Sequence, residues 1–136
     1  MGSGADELFG GYTRHRNAFT RSNENWEALK EELHLDWVRL PSRNLARDDR
    51  VIGDHGITVR APYVQEEFSK FVRNLEPYQK CYHRLDQGVG DKLLLRLCAF
   101  NLGLRDVTVM KKRALQFGSR IADSKQNAKD KSLLLS

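Results

Sequence analysis

Four glycines, at positions 2, 4, 10 and 11, frame an adjacent pair of carboxylates, Asp6 and Glu7, in the run MGSGADELFGGYTRH. Glycine tolerates positive φ and close approach to its backbone, so such a loop can turn N–H groups toward an anion. Carboxylate oxygens are the hard ligands that Mg2+ prefers, and Mg2+ accompanies nucleotide phosphates. The chemistry these residues can do is therefore the handling of phosphate and its metal. A blander alternative is a frayed glycine-rich terminus followed by an ordinary helix start, where acidic residues are favoured in any case.

Other chemistry-bearing residue types are sparser. His15, His34, His55 and His83 are scattered without metal-ligand spacing, so no zinc site is expected. Cys81 and Cys98 fit no ligand set either. Cys98, within LLLRLCAF, reads as a buried small hydrophobe, and the thin cysteine usage as a reducing compartment. Lys92 and Arg96 are four apart in a helical pattern and share a face. Either they reach a phosphate together or they extend along the helix to solvent. Arg60, close before Pro62, is either a clamp for a carboxylate or phosphate or the salt-bridge partner of Asp48 or Asp49.

The elements that must position these groups are helical. Trp26, Leu29, Leu33 and Trp37 fall on one face of a helix expected over about 24–38, with Asn23 as its N-cap. Pro41 and Ser42 can start a second helix, about 42–55, which Gly56 can end. ITVRAPYV is β-branched and interrupted by Pro62, so it reads as an extended connector or edge segment. Phe68, Phe71, Val72 and Leu75 mark a helix over about 66–75, stopped by Pro77. GDKLLLRLCAFNLGL, about 90–102, is apolar on most sides and is expected to run through the interior until Gly103. Left uncovered, it would expose a patch larger than soluble monomers usually carry. No multi-stranded sheet is expected within 20–110.

A chain of 136 residues is expected to form one domain, and 30% charged residues suit a water-facing surface. Residues 1–110 hold sixteen basic and sixteen acidic side chains, so the whole net charge of +5 lies in residues 111–136. That tail is read as solvated and disordered beyond about residue 123. No aromatic residue follows Phe117, which removes the stacking platform of a single-strand nucleic-acid binder. No apolar run approaches the roughly 18 residues that span a bilayer, and no basic-then-apolar leader is present. The expectation is a cytoplasmic protein without nucleic-acid or membrane partners.

Four segments, in order, resemble one family. GSGADELFGGYTRH resembles the glycine-rich acidic loop of asparagine synthetases. RDDRVIGDHGITVRAPYV is similar to the segment ending in their Glu-x-Arg-x-Pro-Phe-Leu-Asp signature, GVGDKLLLR to their Lys-x-x-Leu-Arg helix, and KKRALQFGSRI to their basic loop. SRNLARDDRVIGDHG and KRALQFGSRIA look closest to the branch called asparagine synthetase domain-containing protein. The resemblance covers about residues 2–122 and implies an adenine-nucleotide alpha-hydrolase-like α/β domain. This chain would be its mostly α, C-terminal portion, residues 1–122, with a basic tail over 123–136.

The resemblance further implies ATP-dependent adenylation of the aspartate side chain with release of pyrophosphate. Ammonia, made from glutamine by a separate amidotransferase domain, would then displace AMP. ATP and Mg2+ are the implied cofactors; aspartate, glutamine and ammonia are the implied substrates. By resemblance, Gly2, Ser3, Gly4, Asp6, Glu7, Lys112 and Arg113 contact ATP or pyrophosphate, with Asp6 a Mg2+ ligand. Arg60, Lys92 and Arg96 are either substrate contacts or structural.

The sequence also departs from the family. Ser3 stands where some active members carry glutamate, Thr58 replaces the signature glutamate, and Tyr63-Val64-Gln65 replaces Phe-Leu-Asp. Ala114 occupies the usual lysine position, and the Ser-Gly-Gly-x-Asp-Ser phosphate loop does not occur. The expectation is the C-terminal part of a longer enzyme, inactive by itself and with no catalytic residue assigned. The alternative is a non-catalytic helical interaction module that self-associates or binds a partner over its exposed core face.

Overall fold

The computed structural model describes residues 1–113. The boundary expected at residue 122, the tail beyond it and Ala114 lie outside that range. Among the described residues there are helices and turns but no strand, so this is the mostly helical portion that the sequence patterns predict.

Helix α1 (Ala5–Phe9) is five residues long and bounded by glycines in the left-handed region, Gly4 at φ 98° and Gly10 at φ 71°. Both are also close-packed: a Cβ on Gly4 would lie 2.9 Å from Val64 Cγ1, and one on Gly10 2.6 Å from Cys81 Sγ. Glycine is thus required twice over at each end. Helix α2 (Thr13–Arg21), which periodicity alone does not announce, buries only His15 and Phe19 and is otherwise polar.

Helix α3 (Trp26–Leu40) is the longest. Its cap is Asn25, whose side chain accepts the N–H groups of Glu27 (2.8 Å) and Ala28 (3.4 Å). Asn23, the expected cap, instead takes left-handed backbone with Glu24 (φ 58° and 60°) in the turn from α2. Pro41 does not start a separate helix. It lies in a π turn (Pro41–Leu45) through which α3 runs on into α4 (Ala46–Gly53). Proline has no N–H to continue the ladder, and the wider turn absorbs that break, with Ala46 N–H reaching back to the Pro41 carbonyl. The helix ends at Gly53, and the chain then turns through Gly56 at φ 70°.

The connector after Gly56 leads to a 3-10 turn (Pro62–Val64) and helix α5 (Glu66–Asn74), capped by Gln65. Pro77 opens a further short helix, α6 (Pro77–Lys80), where its missing N–H costs nothing. Helix α7 (Leu93–Asn101) and a 3-10 turn (Asp106–Val109) complete the described chain.

Two apolar clusters hold these elements. Phe19, Leu29, Leu33 and Cys81 form one, with Trp26 against it; Leu8, Phe9 and Val72 form the other, with Trp37, Tyr63, Leu94 and Leu95 against it. The expectation that α7 runs through the interior is not met. Leu94 and Leu95 reach the second cluster, but Leu97 and Phe100 are about half exposed, and the one buried residue of α7 is Arg96. Cys98 is exposed, and the buried cysteine is Cys81. Apolarity around a whole helix requires neighbours on every side; α7 packs on α1, α6 and the Asp106–Val109 turn, which leave Leu97 and Phe100 only partly covered.

Candidate functional site

The two adjacent carboxylates of α1 point apart. Asp6, at one edge, lies 2.9 Å from Lys92 Nζ and 3.7 Å from Lys112 Nζ. Glu7 faces inward, 4% exposed, and accepts hydrogen bonds from Tyr12 Oη (2.7 Å) and Asn44 Nδ2 (3.2 Å). Burial, then the bond to Glu7, drives the Tyr12 phenol well above the ordinary tyrosine range, so it stays a donor. Consecutive helical residues are about 100° apart, which is why one acid can be a surface ligand while its neighbour is internal.

Glycine shapes the Asp6 side as well. A Cβ on Gly11 would collide with the Asp6 carboxylate, and Gly11 N–H donates to the Asp6 carbonyl (2.9 Å). Lys92 is not a residue of α7 but its cap, in left-handed backbone at φ 55°. A non-glycine residue pays roughly 1–2 kcal/mol for that conformation. Two contacts hold it there: its N–H donates to Phe9 C=O (3.0 Å), and its ammonium meets Asp6. Lys112 and Arg14 both sit over the Tyr12 ring, 4.7 and 4.0 Å from its centroid. The result is a carboxylate between two ammonium groups, each side chain about one-fifth to one-quarter exposed. Its formal charge of +1 suits an anion.

Among the described residues no group of three or more His, Cys, Asp or Glu side chains converges. A Mg2+ ion at Asp6 would therefore take most of its oxygens from a phosphate ligand and water, the usual mode for that ion.

The remaining expected residues are dispersed. Gly2 C=O accepts the Ala5 N–H, and Ser3 Oγ donates to Asp48 Oδ2 at 3.5 Å. Arg113 is exposed. Arg60 forms neither expected salt bridge; Asp48 pairs with Arg47 at 2.8 Å, and the Arg60 carbonyl takes the terminal ammonium of Met1. Arg96 neither reaches toward phosphate nor extends to solvent. It is buried, donating to Asp91 O and Oδ2, Thr108 O and Met110 O. Lys92 and Arg96 do not share a face because the helix begins only at Leu93.

Sequence reasoning missed Tyr12, Asn44 and a buried polar network behind them. His15 Nδ1 accepts the Tyr12 N–H, so its Nε2 carries the proton and donates to Asp36 Oδ2 at 2.8 Å. Arg14 Nε donates to the same oxygen. Burial would raise the Asp36 carboxyl, but the His15 and Arg14 bonds outweigh it and hold it below the usual carboxylate range. The available signal was the spacing of His15 and Phe19, which places both on one face of a helix.

A family profile described as asparagine synthase matches residues 20–129. An asparagine synthetase domain-containing protein of Drosophila melanogaster is 57% identical over 97% of this chain and 24% of its own length. Asparagine synthetase domain-containing protein 1 of Homo sapiens is 48% identical over 89% of this chain and 18% of its own. A putative glutamine-hydrolysing asparagine synthetase of Methanocaldococcus jannaschii is 46% identical over 48% of this chain and 12% of its own. The chain thus spans a quarter or less of the length of these curated relatives. No solved structure matches it. No helix among the described residues is long and apolar enough to cross a membrane. With the profile and these relatives covering most of its length, the chain belongs to the asparagine synthase family.

Proposed function

We propose that Asp6, Lys92 and Lys112 face the phosphates of ATP in an asparagine synthetase-like site to which this chain contributes one edge. The observation that carries this reading is the carboxylate held between two ammonium groups beside glycine-shaped backbone. In adenylation of aspartate, negative charge grows on the departing pyrophosphate, and fixed cations stabilise that transition state. Lys92, anchored through its backbone, keeps a positive charge in a constant place. Lys112, at 3.7 Å, holds Asp6 more loosely and is the group free to move onto a phosphate oxygen. Mg2+ bound through Asp6 would supply further charge neutralisation. Aspartate, glutamine or ammonia, and a cytoplasmic setting complete the reading; the two free cysteines accord with that compartment. The chain by itself is not expected to catalyse.

Titration of the isotope-labelled 136-residue chain with Mg2+ and pyrophosphate, followed by amide NMR, is expected to shift Gly2–Tyr12 and Lys112. Lys112→Gln and Asp6→Asn should each weaken binding by about tenfold, the loss of one charge-assisted contact. With ATP, Mg2+, aspartate and ammonia, no asparagine above the buffer blank is expected. Shifts clustered elsewhere, or asparagine formed in proportion to the chain, overturn the reading.

A non-catalytic interaction module is the second reading, favoured by exposed apolar surface. Leu102 is 81% exposed and Phe71 64%, and a groove of about 920 Å3 between α5 and α7 is lined by Tyr63, Phe68, Leu94 and Leu95. Sedimentation of the chain at micromolar concentration is expected to show self-association, since patches of this kind are rarely left bare. A monodisperse monomer with a cooperative, high-temperature melt would count against it.

A further inference from the structure

Lys80 closes α6 with 5% of the residue's surface exposed, and lines a cavity of about 390 Å3 between α3, α5 and α6. Among the described residues its ammonium has neither an ion pair nor a hydrogen bond. A buried lysine is ordinarily paired. The carboxylates around this cavity are otherwise engaged or turned outward. Glu76 and Glu27 both approach Lys30, at 3.5 and 3.9 Å. Glu7 takes its two donors from Tyr12 and Asn44, and Glu31 is exposed.

The walls carry four cations and three carboxylates. Lys30, Lys70 and Arg73 line the cavity with Lys80, against Glu7, Glu27 and Glu31. Burial pushes the Lys80 ammonium below the usual lysine range, against partial relief from Cys81 and Glu76, and Arg73 and Lys30 push it the same way as burial. The half-buried Trp37 ring forms another wall, with the Arg73 guanidinium 5.3 Å from its centroid. Asp6, Lys92 and Lys112 do not line this cavity. Its volume falls at the small end of the range of about 300–1,000 Å3 found for small-molecule sites.

We propose that this cavity binds a small aromatic or heterocyclic oxyanion, its carboxylate or phosphate on Lys80 between Lys30 and Arg73 and its ring against Trp37. An oxyanion supplies the acceptors that Lys80 lacks, and desolvation makes that contact stronger than one at the surface. The ring would stack beside Arg73 on the indole face, with Leu8, Leu33 and Leu75 completing the apolar lining.

The chain contains two tryptophans, so in a Trp26→Phe variant Trp37 is the sole indole reporter. Phenyl phosphate, benzoate and inorganic phosphate are titrated against its fluorescence. Saturable quenching by phenyl phosphate or benzoate is expected, and whichever is tighter identifies the head group. Inorganic phosphate should bind at least tenfold more weakly, and Lys80→Met, which keeps the side-chain length, should weaken the tighter probe at least tenfold. A second measurement uses the unaltered chain: acetic anhydride labelling mapped by peptide mass spectrometry, in which the tighter probe should slow labelling of Lys80 and leave the exposed Lys111 unchanged. No saturable quenching by any probe, undiminished binding in Lys80→Met, or equal labelling of Lys80 with and without probe each overturns the proposal.

Discussion

Replacing Arg96 with methionine is expected to lower the unfolding free energy by about 3–5 kcal/mol, the range for breaking a buried ion pair from one side. The guanidinium is the junction of three segments. Its Nε donates to Asp91 O (2.6 Å), Nη2 to Asp91 Oδ2 (3.0 Å), and Nη1 to Thr108 O (2.7 Å) and Met110 O (3.0 Å). Without it, three backbone carbonyls and a buried carboxylate lose their donor, and each such loss carries a desolvation penalty. Asp91 would keep the Gly88 N–H at 2.7 Å and a distant Arg16 at 3.7 Å. Burial raises the Asp91 carboxyl while Gly88 and Arg96 hold it low, so the variant leaves a poorly matched anion behind. Urea unfolding of wild type, Arg96→Met and Arg96→Met/Asp91→Asn measures the effect. The double variant is expected to recover part of the loss, because it removes the orphaned charge. A single variant within 1 kcal/mol of wild type would show that the 3-10 turn is held by packing alone.

Acid is expected to remove about 3 kcal/mol of stability between pH 6.5 and pH 4, through His83. The residue is 2% exposed, and neither ring nitrogen has a hydrogen-bond partner among the described residues. Burial pushes its pKa down from 6.5 to about 4, with Arg16 and His15 adding to the effect. The unfolded chain therefore takes up the proton more readily than the folded one. The stabilisation is complete above about pH 6.5 and is lost as pH falls toward 4. Asp36 and Asp91, whose carboxyls are held low, contribute at more acidic pH, because their unfolded reference is already near 4. Unfolding free energies measured from pH 7.5 to 4.5 should slope in wild type and be flatter by that amount in His83→Leu. Parallel curves for the two proteins would assign the acid sensitivity elsewhere.

Local patterns carried the parts of the fold that depend on short-range geometry. The glycines framing Asp6 and Glu7 were legible because positive φ and close approach exclude a side chain at Gly4 and Gly10 wherever the rest of the chain goes. The apolar stripe of α3 named Leu29 and Leu33, and the spacing of Phe68, Phe71, Val72 and Leu75 marked α5, whose Gln65 cap only the structure showed. Helix α2 escaped because two buried residues among nine leave too thin a stripe to read.

The amino-acid sequence by itself determined family, helical class and the glycine-framed acidic turn. Only the tertiary structure decided which way each charge faces. Asp6 meets Lys92 across 86 residues of chain, while Glu7 beside it turns inward to Tyr12 and Asn44. Arg96 and Lys80 are buried, and the apolar residues Leu97 and Phe100 are left at the surface. Periodicity reports that a helix has an apolar or a charged face. Which distant carbonyl, carboxylate or side chain covers that face is fixed by long-range packing, and for Arg96 the partners that settle it, Thr108 and Met110, come from a separate turn.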